Sequence, residues 1–575
     1  MDQRGHDPPY RAEDFKVIAG IFIRNYKAFS GLNFIRLTNS HLDPLQISIG
    51  NNGVGKSSIL EAIDAFFNNR KWNPHKDAKH DDVYCAPIFL IHKGRNSIKY
   101  LDEMSTHLWD CTEETLPPIL KSQRALADFF SFRDEIIANN PETRNTHWLL
   151  ICGTKYTDPD HIFFGAFDHT IKKHFENNSI PTPTQIKNFI CNRYTYLYLP
   201  VETGVRETLQ LDNVALQTMA GKKLTEEIDK ILKERSIELI KDGRKNKLSI
   251  VELISFWLDN FLESINSTAK TANQEYQYKN TGRIKNLKAS DIRHDVIEAF
   301  FTKRTLFKGD RSIDQLSSGE KRAALVDLAS CFLSSETSKN KNYILAIDEP
   351  ESSMHTAICF DQFEKLANLS KKLNRQVLIT THWYGLVPML QLGTLCHISK
   401  NPKPSAAFFN MRDLLENRGD FPDDIEMKSY FDLVASIITI MKHKKTNWII
   451  CEGADDAKYL EHYLKNSIED LKIIPVGGAS IVIKLFNYLF APLSEKTEQN
   501  TLNGKILCLI DTDIQTADFE GMHTNKKGTI ALRRWQVSLE NGINKVNLGR
   551  LTNEPARHPI IKGCGHGCSA GGWPG

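Results

Sequence analysis

Between residues 50 and 57 the chain reads Gly50-Asn51-Asn52-Gly53-Val54-Gly55-Lys56-Ser57, a glycine, four residues and then Gly-Lys-Ser. This spacing suits a loop whose backbone N–H groups close around phosphate oxygens. The Lys56 ammonium would reach the β- and γ-phosphates, and the Ser57 hydroxyl, followed by Ser58, would join a Mg²⁺ shell. The flanks are those the motif needs. Leu45 to Ile49 is a short apolar run of the buried-strand kind, and Ile59, Leu60, Ile63, Phe66 and Phe67 fall on one helical face. Strand, glycine loop and helix N-terminus together predict a nucleoside triphosphate site.

Further along, Gln315-Leu316-Ser317-Ser318-Gly319-Glu320 precedes an apolar helix. Ser317 with Glu320 three residues later is by itself a capping box. The Ser318-Gly319 pair at that helix start also suits an anion, here a γ-phosphate presented from across an interface. Asp348 ends the apolar strand Tyr343 to Ile347 and is followed by Glu349. An aspartate at the tip of a buried strand fits a ligand of Mg²⁺ or its water, and the adjacent glutamate fits a base for the attacking water. A second apolar strand, Gln376 to Ile379, ends in Thr380-Thr381-His382, where an imidazole can approach the γ-phosphate.

A separate set of carboxylates follows. Trp448 to Cys451 reads as a strand ending in Glu452-Gly453, Ile473 to Val476 as one ending in Gly477-Gly478, and Ile506 to Ile510 as one ending in Asp511-Thr512-Asp513. Open parallel sheets place their ligands at such carboxyl ends. Asp and Gly are common strand-end turn residues, so either motif alone says little. Paired on one sheet, Glu452, Asp511 and Asp513 suit Mg²⁺ or Mn²⁺ for phosphodiester cleavage, with Asp455 and Asp456 nearby.

The elements that must position these groups imply an α/β protein. Residues 15–29 read as one or two strands feeding the nucleotide-binding sheet, residues 68–82 as a solvated loop, and Tyr194 to Val201 as a strand. From about 206 to 301 long charged periodicity predicts an α-helical insertion. Residues 400–444 read as a linker, 445–550 as a second α/β domain and 551–575 as a disordered tail, leaving that domain incomplete. At 575 residues, 41% hydrophobic and 25% charged, the composition is that of a globular protein with more than one domain. A net charge of +3 is nearly neutral and argues neither for nor against nucleic acid, so any basic surface is local. No apolar run approaches the roughly eighteen residues of a membrane helix, and the polar N-terminus lacks a signal-peptide core. Eleven scattered cysteines, most in apolar runs, read as buried thiols of a cytoplasmic protein without membrane contact.

LSSGEK, ILAIDEPE and ITTH behind a phosphate loop resemble the ATP-binding-cassette ATPases of the structural-maintenance and recombination-repair type, over residues 15–399. That resemblance implies an ABC/SMC-like P-loop ATPase fold. It implies ATP and Mg²⁺ bound through Gly50, Asn51, Asn52, Gly53, Gly55, Lys56, Ser57, Ser58 and Asp348, with Glu349 and His382 catalytic. Ser318 and Gly319 would cap the ATP of a partner in a head-to-tail homodimer, and Glu351 to His355 would form the loop after the catalytic carboxylate.

The second half resembles a TOPRIM domain, a Rossmann-like α/β fold, which makes Glu452, Asp511 and Asp513 its metal ligands. The two in this order resemble the OLD (overcoming-lysogenisation-defect) family, which includes anti-phage defence nucleases, with the PARIS defence ATPase a related system. The implied function is ATP-gated, metal-dependent cleavage of DNA. Two alternatives stay open: a sensor or scaffold that binds or releases a separate effector protein, and a DNA-repair ATPase. An assembly beyond the dimer also stays open.

Overall fold

The computed structural model describes residues 16–70, 72–93, 98–121, 123–157, 162–174, 183–201, 221–241, 244–271, 288–289, 292–293, 296, 307–312, 315–334, 342–352, 354–390, 392–400, 404–413, 422–464, 466–495, 500–511, 522–540 and 543–549. The chain divides into two compact units. The first runs to Met354 and takes in Lys365–Thr381 and Cys396–Ala407; the second holds His355–Glu364, His382–Leu395 and the chain from Phe408 onward.

Two six-stranded sheets form the main part of the first unit. Strands β1 (Lys16–Arg24) and β2 (Leu32–Arg36) belong to one sheet. Strand β3 (Leu45–Gly50), entirely buried, starts the other and leads into helix α1 (Lys56–Asn68). β4 (Tyr84–His92), β5 (His147–Ile151), β6 (Gly153–Lys155) and β7 (Ile162–Phe163) return to the first sheet, which is antiparallel in the order β2-β1-β4-β6-β7 with β5 also on β4. β8 (Tyr194–Leu199) joins the second. Helix α1 packs between the two: Phe66 lies 5.7 Å from Phe89 of β4, and Phe67 stacks on Tyr196 of β8 at 5.6 Å. The large aromatic area buried this way holds α1, and with it the loop at its head.

The strand reading of residues 15–29 holds, but β1 does not join the nucleotide-binding sheet. It pairs antiparallel with β2 and β4, with a register shift between Ile18 and Gly20. Its residues from Ile18 to Ile23 are buried, so apolar pattern alone could not choose between sheets. The join is made by a buried amide. Gln376 accepts from the Ile18 N–H at 2.8 Å and donates to the carbonyls of Ile18 (2.9 Å) and Leu37 (3.1 Å).

The segment expected to be wholly helical contains helix α2 (Gly221–Lys233), an antiparallel hairpin of β9 (Ile237–Lys241) and β10 (Arg244–Leu248), and helix α3 (Ile250–Thr271). The hairpin is a correction. The three-and-four periodicity of the flanking segments obscured these two short strands.

Helix α4 (Ser318–Ser334), β11 (Asn342–Asp348), helix α5 (Thr356–Leu373) and β12 (Val377–Thr381) follow, then β13 (Thr394–Lys400) and β14 (Pro404–Asn410). The second sheet has the order β14-β13-β3-β12-β11-β8, with β3, β12, β11 and β8 parallel. The stretch 400–444 is therefore no simple linker. It contributes the edge strand β14 and the 21-residue helix α6 (Asp423–His443). Alternating exposure along β14 fits an edge strand, a pattern that polar residues near Asn401-Pro402-Lys403-Pro404 disguise as a loop.

In the second unit, β15 (Asn447–Cys451), helix α7 (Ala454–Leu464), β16 (Leu471–Pro475), helix α8 (Ala479–Ser494), β17 (Ile506–Ile510), β18 (Ile530–Glu540) and β19 (Ile543–Gly549) form a five-stranded α/β layer. The order is β16-β15-β17-β18-β19, parallel except for the last strand. Trp448, fully buried, meets Phe360 of α5 edge-on at 5.3 Å.

Candidate functional site

The glycine loop leaves β3 at Gly50 with φ 150° and enters α1 at Gly55 with φ 112°. A Cβ on Gly50 would sit 2.3 Å from the Ile398 carbonyl oxygen, so the loop's first residue is glycine for lack of room. Asn51, Asn52 and Gly53 are exposed at the crest, while Lys56 and Ser58 are buried. The Lys56 ammonium donates to the carbonyls of Gly50 (3.0 Å) and Asn51 (3.1 Å), which holds it across the loop it closes.

Strand order then brings distant residues to α1. Because β12 lies between β3 and β11, Thr380 stands beside Asp348 in parallel register, and Ser48 beside Thr380. The Ser57 hydroxyl donates to Oδ1 of Asp348 at 2.8 Å, the Thr380 hydroxyl donates to the same oxygen, and the Tyr198 hydroxyl reaches Oδ2 at 3.4 Å. Asp348 is 4% exposed. Three hydroxyls therefore converge on this buried carboxylate, which lies at the sheet edge beside the head of α1. Burial, then the Asp348 charge, pushes the Tyr198 phenol upward, so it remains a donor.

Glu349 follows with φ 44°, the left-handed region that a residue with a side chain adopts at a cost of about 1–3 kcal/mol. Its N–H donates to the Thr380 carbonyl at 3.0 Å and to the Thr380 hydroxyl at 3.1 Å. The Thr381 hydroxyl donates to Glu351 at 2.8 Å. His382 comes directly after β12 and is half-buried.

Ser318 and Gly319 open α4, and the capping box is present. The Glu320 N–H donates to the Ser317 hydroxyl at 3.3 Å, and the Ser317 N–H donates to the Glu320 carboxylate at 3.0 Å. That backbone donor, with Arg311 at 2.7 Å, lowers the Glu320 carboxyl to about 2. Ser318 is exposed at the head of α4, whereas Gly319 is buried and the Glu320 N–H is already used by the Ser317 hydroxyl.

In the second unit, Glu452 and Asp511 follow the adjacent parallel strands β15 and β17. The Asp511 N–H donates to Oε1 of Glu452 at 2.7 Å, and the Gly477 N–H donates to the Glu452 carbonyl at 2.7 Å. Arg534 of β18 donates to the Asp511 carbonyl at 3.1 Å. Asp456 accepts from the Gly453 N–H at 3.0 Å and so caps α7, while Asp455 lies 3.5 Å from Lys458. Asp513 lies outside the described residues. Among the described residues no three His, Cys, Asp or Glu side chains gather as a metal site.

Residues 17–386, well over half of the chain, match the AAA_15 family, an AAA ATPase domain. The chain belongs to this ATPase family. The ATPase thus binds and hydrolyses ATP. No curated protein matches it. Solved structures with some likeness include the SMC head domain from Thermotoga maritima (12% identity, 68% of this chain and 97% of that one, TM-score 0.29). The Smc head domain derived from Pyrococcus furiosus is similar at 9% identity (70% and 99%, TM-score 0.35), as is Stu0660 of Streptococcus thermophilus at 10% (82% and 99%, TM-score 0.28). Among the described residues no helix of the ATPase is long and apolar enough to cross a membrane.

The family implies Mg²⁺, and the residues fit it. Ser57 and Asp348 offer a hydroxyl and a carboxylate oxygen within 2.8 Å of each other beside the loop, the hard oxygen donors Mg²⁺ prefers. Three contributors were missed in the sequence: Thr380, Tyr198 and Arg322. Thr380 lay within the ITTH motif, and Tyr198 within the alternation of β8. The signal for Arg322 was one cation among apolar positions of α4, next to the buried Ala323, Leu325 and Val326.

Proposed function

We propose that this ATPase acts as a head-to-tail homodimer in which Ser318 and Gly319 of one protomer close over the ATP held by the loop of the other. The observation that supports the hydrolytic half is the 2.8 Å contact between Ser57 and Asp348, which joins the phosphate loop to the strand bearing Glu349. In this reading the N–H groups from Gly50 to Ser58 cradle the phosphates, and Lys56 turns from its loop carbonyls to the β- and γ-oxygens. Mg²⁺ held by Ser57 and Asp348 would neutralise charge building on those oxygens. Glu349 accepts a proton from the attacking water, and His382 donates to the γ-phosphate.

We further propose that ATP turnover gates a TOPRIM-like, metal-dependent nuclease in the second unit, acting on DNA in anti-phage defence as in the OLD family. Support comes from Glu452 and Asp511, hydrogen-bonded at the tips of neighbouring parallel strands, where such a sheet holds a ligand. Asp513 would complete the ligand set for Mg²⁺ or Mn²⁺.

The test is cleavage of supercoiled plasmid with Mg²⁺ or Mn²⁺, with and without ATP, comparing the wild type with an Asp511→Ala/Asp513→Ala variant that still hydrolyses ATP. Nicking that disappears in the variant and responds to nucleotide establishes the gated nuclease. Intact ATPase activity without cleavage turns the assignment to the sensor or scaffold that controls a separate effector.

A further inference from the structure

The peptide plane between Asp348 and Glu349 is gripped at both ends. Its N–H belongs to Glu349 and donates to Thr380. Its carbonyl belongs to Asp348 and accepts from Nη2 of Arg322, which comes from α4. The same guanidinium donates through Nη1 to the Pro200 carbonyl at 2.5 Å and through Nη2 to the Leu199 carbonyl at 3.3 Å. One planar fork therefore joins three carbonyls at the ends of the adjacent strands β8 and β11, a geometry a lysine ammonium cannot reproduce.

The fold bears a cost for this. Arg322 is 6% exposed, and its Nε is buried without a hydrogen-bond partner among the described residues. Burial lowers its pKa, and the nearby charge of Asp348 offsets this only in part. A buried cation with a spare donor, where an apolar side chain would pack at less cost, calls for a reason. Glu349 supplies one. Its left-handed φ of 44° is a strained conformation that persists only where the surroundings over-determine it. Arg322 and Thr380 are the two clamps on the plane that sets it.

We infer that Arg322 is a positioning residue for hydrolysis, fixing the strained peptide that aims Glu349 and tying it to the helix headed by Ser318 and Gly319. This rests on the assignment of Glu349 as the base. Seating of an anion at the head of α4 is then felt one turn later at the carboxylate of the same protomer, because Arg322 is rooted in that turn.

The experiment uses the full-length chain with Arg322→Lys and Arg322→Met. Fluorescent-nucleotide titration gives ATP affinity, and steady-state hydrolysis gives kcat and KM. The expected result is a kcat lowered by roughly ten- to hundredfold in Arg322→Met, the scale of a small misplacement of a catalytic group. ATP affinity and KM stay within about threefold, and Arg322→Lys recovers part of kcat.

In a Glu349→Gln background, Arg322→Met should cost under about threefold more, since the two act through one group. Additive losses in that background overturn the inference, as does a kcat unchanged in both single variants, or ATP affinity and kcat falling together. If Arg322→Met does not fold, the Lys variant carries the same comparison. A Glu349→Gln variant that hydrolyses ATP normally refutes the assignment of the base instead, and so separates the two failures.

Discussion

The Ser57 hydroxyl donates to the Asp348 carboxylate at 2.8 Å, joining the first residue after the phosphate-loop lysine to a strand tip almost three hundred residues later. This contact links the loop to the strand that ends in Asp348, and the effect of its removal is directly measurable. Asp348→Asn should lower kcat by about 10²–10³, the usual loss when one electrostatic group at a developing charge is neutralised. Ser57→Ala should keep measurable turnover but need more Mg²⁺ for half-maximal rate. Phosphate release measured across a Mg²⁺ titration checks both. Full activity in Asp348→Asn would show that the contact has no part in hydrolysis.

Gly50 and Gly53 both have positive φ, 150° and 73°, yet they differ in surroundings. A Cβ at Gly50 would meet the Ile398 carbonyl at 2.3 Å, whereas one at Gly53 meets nothing within 4 Å. Gly50→Ala should therefore lower the melting temperature by several degrees and weaken ATP binding. Gly53→Ala should cost only the left-handed strain of about 1 kcal/mol. Equal melting temperatures in the two variants would contradict the close approach of β3 and β13.

Glu320 has a carboxyl lowered to about 2 by the Ser317 N–H and Arg311. A depressed pKa in the folded state means that the group's contribution is fully present above its unfolded value, about 4.3. It is then lost as pH falls through the folded value. The melting temperature of the wild type should drop more steeply between about pH 4.5 and pH 2 than that of Glu320→Gln, while the two run parallel above pH 5. Parallel curves throughout would remove the cap from the acid response.

The thiols offer a check on packing. Burial pushes Cys396 and Cys451 up to about 12, and raises Cys85, Cys152 and Cys508 as well, so all five stay protonated at pH 8. Cys331 is exposed on α4. Alkylation mapped by mass spectrometry at pH 8 should mark Cys331 within minutes and the five buried thiols only after denaturant is added. Early modification of Cys508 would mean that β17 is not in a closed core.

Much of the site was legible because its signals are contiguous. The phosphate loop, the capping box of Ser317 and Glu320, the strand ending in Asp348 and the strand ending at Thr381 each occupy a few adjacent residues, and backbone rules act over that range. Strands β9 and β10 were contiguous too, but they stood inside a longer helical periodicity that outweighed them.

The sequence by itself determined that a nucleotide loop lies between a buried strand and a helix, and that carboxylates end several strands. Tertiary structure decided which strands are neighbours. The placement of β12 between β3 and β11 brings Thr380 to Asp348, the Gln376 amide ties β1 to the first unit's second sheet, and the packing of α4 delivers Arg322 to three carbonyls. The physical reason is that an apolar strand records its burial but not its partner. Ladder bonds are made by the same N–H and C=O groups in every strand, so their pairing is chosen by long-range packing.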